Sequence, residues 1–130
     1  MTAAARRPRT SSRKVDLNEA RASLTAERVA AASRIAALER DIAAIMDSAR
    51  AGATDDEHDP EGATIAFERA QAMALLEETR LQVEVLDRAL GRVDAGSYGR
   101  CESCGEAIAP ERLAVRPAAT HCIGCASRLR

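Results

Sequence analysis

Apolar residues recur through the first part of the chain at the spacing of a helix face. Leu17, Leu24, Ala31, Leu38 and Ile45 lie seven residues apart, with Ile35 and Ile42 between them. Ile35–Leu38–Ile42–Ile45 therefore has the three-four alternation of a coiled-coil seam. Arg21 and Arg28 fill the seam positions nearer the N-terminus, so that half is expected to pack less well. Asp16 or Asn18 can cap this helix, and Gly52 can end it. A second run alternates four and three throughout: Ala72, Leu76, Thr79, Val83, Leu86, Leu90 and Val93. It extends from about Glu61 to Val93, with Pro60 suiting its start and Asp94-Ala95-Gly96 its end. Two helices of similar length joined by a short turn predict an antiparallel hairpin whose seams bury each other.

Composition supports long helices over a sheet-based core. Ala occurs 29 times, charged residues make up 30%, and the aromatics are Tyr98 and Phe67 alone. The net charge of −1 conceals two poles. Residues 1–14 carry Arg6, Arg7, Arg9, Arg13 and Lys14 without an acid and predict a disordered basic tail. Residues 52–63 form an acidic turn at the far end of the hairpin, with Asp55, Asp56, Glu57, Asp59 and Glu61. Read from charge alone, that turn is a solvated connection whose acids favour the start of the second helix. No run approaches the roughly 20 apolar residues of a membrane span. The N-terminal arginines are not followed by a signal-peptide apolar stretch. A cytoplasmic protein is expected.

All four cysteines fall in the last 30 residues, as Cys101-x2-Cys104-x17-Cys122-x2-Cys125. Two such pairs at this separation match a zinc site of four thiolates, in which one tetrahedral ion is fully enclosed. No coordination position is left for water, so the zinc is structural. It supplies folding energy to a module, residues 96–130, too small to build a core. Within it, Arg112–Pro117 reads as a link and Ala126–Arg130 as a brief helical turn. His121 stands beside a ligand pair that is already complete. No nucleophile motif, phosphate loop or acid–base pair is present, and an enzyme is not expected. The fold class is thus mainly α, a long antiparallel coiled-coil hairpin over residues 15–95 with a small C-terminal four-Cys zinc-finger module.

The module also carries a more specific text. Gly96-Ser97-Tyr98-Gly99-x-Cys101-x2-Cys104-Gly105-x2-Ile108-x3-Arg112-Leu113-x3-Pro117-x4-Cys122-x2-Cys125 resembles the signature of the DksA/TraR family. The resemblance implies a transcription regulator that binds RNA polymerase directly, without DNA. The zinc globule would dock near the rim of the secondary channel and the coiled coil would enter it. It also raises the acidic turn to a candidate functional tip, with Asp55, Asp56, Asp59, Glu61 and Ala63. The family's Asp-x-Ala element falls on Glu61-Gly62-Ala63, with Glu in place of Asp, and a preceding family Asp falls on His58. Some members respond to ppGpp through basic residues at the junction of coiled coil and zinc module. Arg116 matches one such position and is a possible nucleotide or polymerase contact. Val85 and Ala126 stand where those members carry Lys, so a weak or absent ppGpp response is expected. The alternative is a zinc-ribbon DNA-binding or adaptor protein, using Arg112, Arg116, Arg128 and Arg130 as a basic face. Sequence-specific DNA binding is not expected, because no recognition helix is evident.

Overall fold

The computed structural model describes residues 14–52 and 60–129, without the side chains of Pro60 and Glu61. The expected tail and most of the acidic turn, including Asp55, Asp56 and Asp59, lie outside the described residues. Two long helices, α1 (Leu17–Ala51) and α2 (Pro60–Ala95), pack along each other. Two short ones, α3 (Pro110–Val115) and α4 (Ile123–Arg128), belong to the C-terminal module. Among the described residues no strand forms. The nearest approach is a single antiparallel bridge between Arg100 and Ala107. No described helix is long and apolar enough to cross a membrane.

Local chemistry sets the helix ends. The Asp16 carboxylate accepts from the N–H groups of Asn18 (2.9 Å) and Glu19 (3.3 Å), so Asp16 is the cap of α1. Gly52 N–H closes the other end on Ser48 O at 3.0 Å. α2 stops on Gly96, whose φ of 77° reverses the chain in the left-handed region. Gly96 N–H then donates to Val93 O and Ser97 N–H to Arg92 O, the paired bonds of a Schellman ending. At 1.5 Å per residue each long helix runs about 50 Å.

The seams meet much as the heptads foretell. Leu38, Leu76, Leu86 and Val93 are buried, and Ile35, Ile42, Ile45, Ala72, Val83 and Leu90 are partly so. Thr79 is buried in the seam and satisfies its hydroxyl by donating to Leu75 O at 2.7 Å. The expectation that the N-terminal half of the seam packs less well is reversed. The main cluster lies there, formed by Leu24, Ala31, Leu86, Ala89 and Val93, with Tyr98 and Ala118 against it. Leu24 is fully buried, whereas Leu17 stays 44% exposed at the end.

Two features explain the reversal. First, the seam arginines turn to the side and meet acids of α2. Arg21 pairs with Asp94 at 2.6 Å and Arg28 with Asp87. The Arg28 hydrogen bond holds the Asp87 carboxyl below its usual range. Glu39 and Arg80 bridge the helices further out, at 3.2 Å. All three pairs are solvent-exposed, so they fix register more than they add stability. Second, the C-terminal module lies on this end of the hairpin as a third layer. The segment expected as a link is in fact α3, started by Pro110 in its first turn, and its Leu113 is buried.

Removing the side chain of Leu86 leaves a void under that third layer. Leu86→Ala is expected to cost about 2–5 kcal/mol, against less than about 0.5 kcal/mol for Val29→Ala on the solvent face. Urea unfolding followed by circular dichroism reads both values.

Candidate metal centre

The two Cys pairs are positioned by short backbone loops. After Cys101 and Cys104 the chain turns at Gly105, whose φ is 74°. That turn lets Gly105 N–H donate to Cys101 O (2.9 Å) and Cys101 N–H to Glu106 O (2.8 Å). Cys122 caps α4, and its sulfur accepts from Cys125 N–H at 3.5 Å. Glu102 N–H donates to Thr120 O at 2.8 Å and ties the first pair to the strip preceding the second. α4 thus begins at Ile123, three residues before the expected turn.

These loops bring the four sulfurs of Cys101, Cys104, Cys122 and Cys125 within 4.8 Å of one another. Zinc–sulfur bonds of about 2.3 Å put tetrahedral sulfurs about 3.8 Å apart. The sulfurs of Cys104 and Cys122 are separated by 3.8 Å, far beyond a disulfide bond. All four cysteines are free. The arrangement fits one enclosed structural zinc and leaves no open position on it. His121 is not among the gathered groups: its Nδ1 meets Thr120 Oγ1 at 2.8 Å, and its carbonyl accepts from Arg112 Nε at 3.0 Å.

Protons and metal compete for these sulfurs. The N–H groups of Cys104, Cys122 and Ser103 outweigh burial and hold the Cys101 thiol down at about 6. The Cys125 N–H likewise lowers Cys122. Hydrogen bonds to Cys122 and Cys101 push Cys125 up to about 12. At Cys104 the Glu106 N–H pulls downward, but Cys101, burial and Cys122 together raise it. Four thiolates therefore cannot coexist here near neutral pH without a cation. A bound zinc supplies that charge and displaces the protons that the cluster still holds, those of Cys104 and Cys125 among them.

The module is joined to the hairpin by residues that the motif reading left without a role. Tyr98 packs in both apolar clusters, the hairpin's and the module's own Cys101–Ile108–Leu113 group, and its hydroxyl donates to Pro117 O at 2.6 Å. Burial raises its phenol above the usual range. Arg92, 15% exposed, donates to Ser97 O at 3.2 Å and to Arg100 O, and lies 3.6 Å from Glu102. The signals for Tyr98 were its place in the Gly96–Cys125 signature and its being the chain's single tyrosine, three residues before the first Cys. Between module and hairpin lies a cavity of about 480 Å³ lined by Val85, Leu86, Arg112, Arg116, His121 and Ala126. Arg116, Val85 and Ala126, distant in sequence, thus share one cavity. Ala63 is exposed on the first turn of α2, far along the chain from the module.

This geometry has close counterparts. The prokaryotic dksA/traR C4-type zinc finger matches residues 96–129. A solved structure of transcription factor DksA2 from Pseudomonas aeruginosa superposes with a TM-score of 0.74 at 26% identity, covering 87% of this chain and 81% of that one. Its C-terminal module is a DksA/TraR-type zinc finger. The RNA polymerase-binding transcription factor DksA of Caulobacter vibrioides is 39% identical over 61 residues, 47% of this chain. An uncharacterized protein of Aquifex aeolicus is 41% identical over 44 residues. The matched stretch spans 43% of the Caulobacter DksA and 30% of the Aquifex protein. The family model thus covers the zinc module, and the likeness in shape covers most of the chain.

Acid should release the metal. The metal-bound module holds fewer protons than the unfolded chain, so its stability rises with pH and is lost progressively as acid returns protons to the four sulfurs. A zinc-sensitive dye should report one ion per chain, released on acidification and after Cys101→Ser.

Proposed function

We propose that this protein is a cytoplasmic transcription regulator that binds RNA polymerase directly, its hairpin entering the secondary channel. The observation that carries this reading is the rigid mounting of an arm about 50 Å long on a C4 zinc module, shared in shape with DksA2. Cys101, Cys104, Cys122 and Cys125 hold the zinc and fix the module. Tyr98 and Arg92 transmit that fixity to the arm. The parts are the basic segment 1–14, the hairpin 15–95 and the module 96–130. The arm ends in the acidic turn, where Asp55, Asp56, Asp59 and Glu61 face the polymerase interior and Ala63 permits close approach. Its action is electrostatic and steric. An enzymatic role has no support, since a four-sulfur site offers no position for substrate.

The ppGpp response through the junction cavity is weak. The cavity presents Arg116 and an Arg112 already engaged with His121 O, with Glu27 on the same lining, and Val85 and Ala126 add no charge where a polyphosphate needs several cationic contacts. The DNA-reading alternative draws little from the structure. α3 and α4 have six residues each, short for a groove-reading helix, and Arg112 is engaged with His121 O.

Asp59→Asn with Glu61→Gln should leave polymerase binding intact while weakening the effect on transcription in a purified system. Unchanged output with this double variant would remove the tip from the mechanism. A tight, salt-sensitive shift of free duplex DNA, without polymerase, would favour the DNA-binding alternative. A clear Arg116-dependent affinity for ppGpp in titration would reverse the nucleotide prediction.

A further inference from the structure

Charge is divided along the length of this molecule. The outer half of the hairpin, residues 35–81, holds eleven acidic and four basic side chains. The other residues, 1–34 and 82–130, build the root of the hairpin and the zinc module and hold nine acidic and fifteen basic ones. Four of those fifteen are Arg6, Arg7, Arg9 and Arg13, and no acid precedes Asp16. Without these four, the root half has eleven basic side chains against nine acidic ones and is close to neutral. The N-terminal segment therefore sets its sign.

The fold fixes where that segment starts. Val15 packs with the module's Cys101–Ile108–Leu113 cluster and lies beside Gly99. Lys14 and Arg100, the next residue in each stretch, are thus neighbours at the root. Both are exposed, and among the described residues neither makes an ion pair. The acidic turn is at the other end of α1, about 50 Å away. Arg6 is eight residues from Lys14 and reaches at most about 28 Å from it, even in a fully extended chain. The acids of the chain's own tip are therefore out of range of these arginines, and their charge is left for a partner.

Chemistry selects that partner. Between Thr2 and Lys14 there is no Leu, Ile, Val, Met or aromatic residue. A segment that settles on a membrane surface needs such side chains as apolar anchors. A phosphodiester backbone asks for cations alone, and each guanidinium can meet a phosphate through two parallel hydrogen bonds. Duplex DNA carries a charge about every 1.7 Å, so a short run of cations displaces several counterions at once. The acidic outer half repels the same polyanion and turns the root towards it.

We propose that Arg6, Arg7, Arg9, Arg13, Lys14 and Arg100 form a sequence-independent contact to the phosphate backbone of double-stranded DNA. Such a contact anchors the protein and reads no bases. It is independent of polymerase binding, and it differs from the zinc-ribbon alternative, which uses the arginines of the module.

The test titrates the full zinc-loaded chain, without polymerase, into two labelled duplexes of unrelated sequence between about 50 and 200 mM NaCl, read by fluorescence anisotropy. Both duplexes should bind with affinities within about twofold of each other. Six phosphate contacts give a slope of log affinity against log salt near about −5. Arg6→Gln, Arg7→Gln, Arg9→Gln and Arg13→Gln combined should reduce that slope to about −2 and weaken binding at least about tenfold at the lowest salt. These positions precede the Asp16 cap, so helix content and melting should match the unaltered chain. The contact is refuted if the unaltered chain binds neither duplex at the lowest salt, or if the fourfold variant keeps its slope and binds within about twofold. Binding lost with Arg112→Gln and Arg128→Gln but kept in the fourfold variant moves the contact to the module and overturns it as well. So does tighter binding to phosphatidylserine–phosphatidylcholine vesicles than to DNA, or salt-sensitive self-association in place of DNA binding.

Discussion

Four sulfurs held within 4.8 Å of one another are tolerable as thiolates only around a cation, and the rest of the fold is arranged on that demand. The module has little else to hold it: its own buried cluster is Cys101, Ile108 and Leu113. So few apolar groups do not offset the entropy of ordering more than 30 residues. Metal binding supplies the difference, and it does so through short loops. Each Cys pair is closed by backbone hydrogen bonds within a few residues, so ligand geometry depends little on distant packing.

Once ordered, the module becomes part of the hairpin's core. Two helices packed alone bury one stripe each and leave the rest to solvent. Here Tyr98 and Ala118 cover the end of the pair, and Leu24 and Leu86 become the most deeply buried large side chains apart from Ile108. Arg92 adds polar ties from the last turns of α2 to carbonyls on either side of Tyr98. The arm is therefore firmest at its root. Further out, Ile35, Ile42 and Ile45 are only partly covered.

Legibility in the sequence follows the range of the interaction. The Cys spacing and the heptads were readable because ligand pairs and helix faces are local patterns. The cap at Asp16 and the stop at Gly96 were readable for the same reason. The better-packed half of the hairpin was not, because its advantage comes from Tyr98 and Ala118, more than 60 residues from Leu24 in the chain. The charged seam positions misled for a related reason. Arg21 and Arg28 look disruptive until Asp94 and Asp87 are brought opposite by the antiparallel register. Val85, Arg116 and Ala126, joined in the sequence only through the family resemblance, form one cavity wall in the fold.

The alanine content takes on a specific meaning in this arrangement. Ala22, Ala26, Ala30, Ser33 and Ala44 lie on the face of α1 opposite its seam and are exposed. They add nothing to the core, so α1 must draw part of its helicity from intrinsic propensity, in which Ala ranks first. Small side chains also leave that side of the arm slim. The outer side of α2 differs: Phe67 and Leu81 project from it and remain largely exposed. A smooth face on one helix and an apolar, acidic face on the other give the arm two unlike sides. A bare helical strut would gain nothing from that difference. An arm seated in one orientation against a larger partner would.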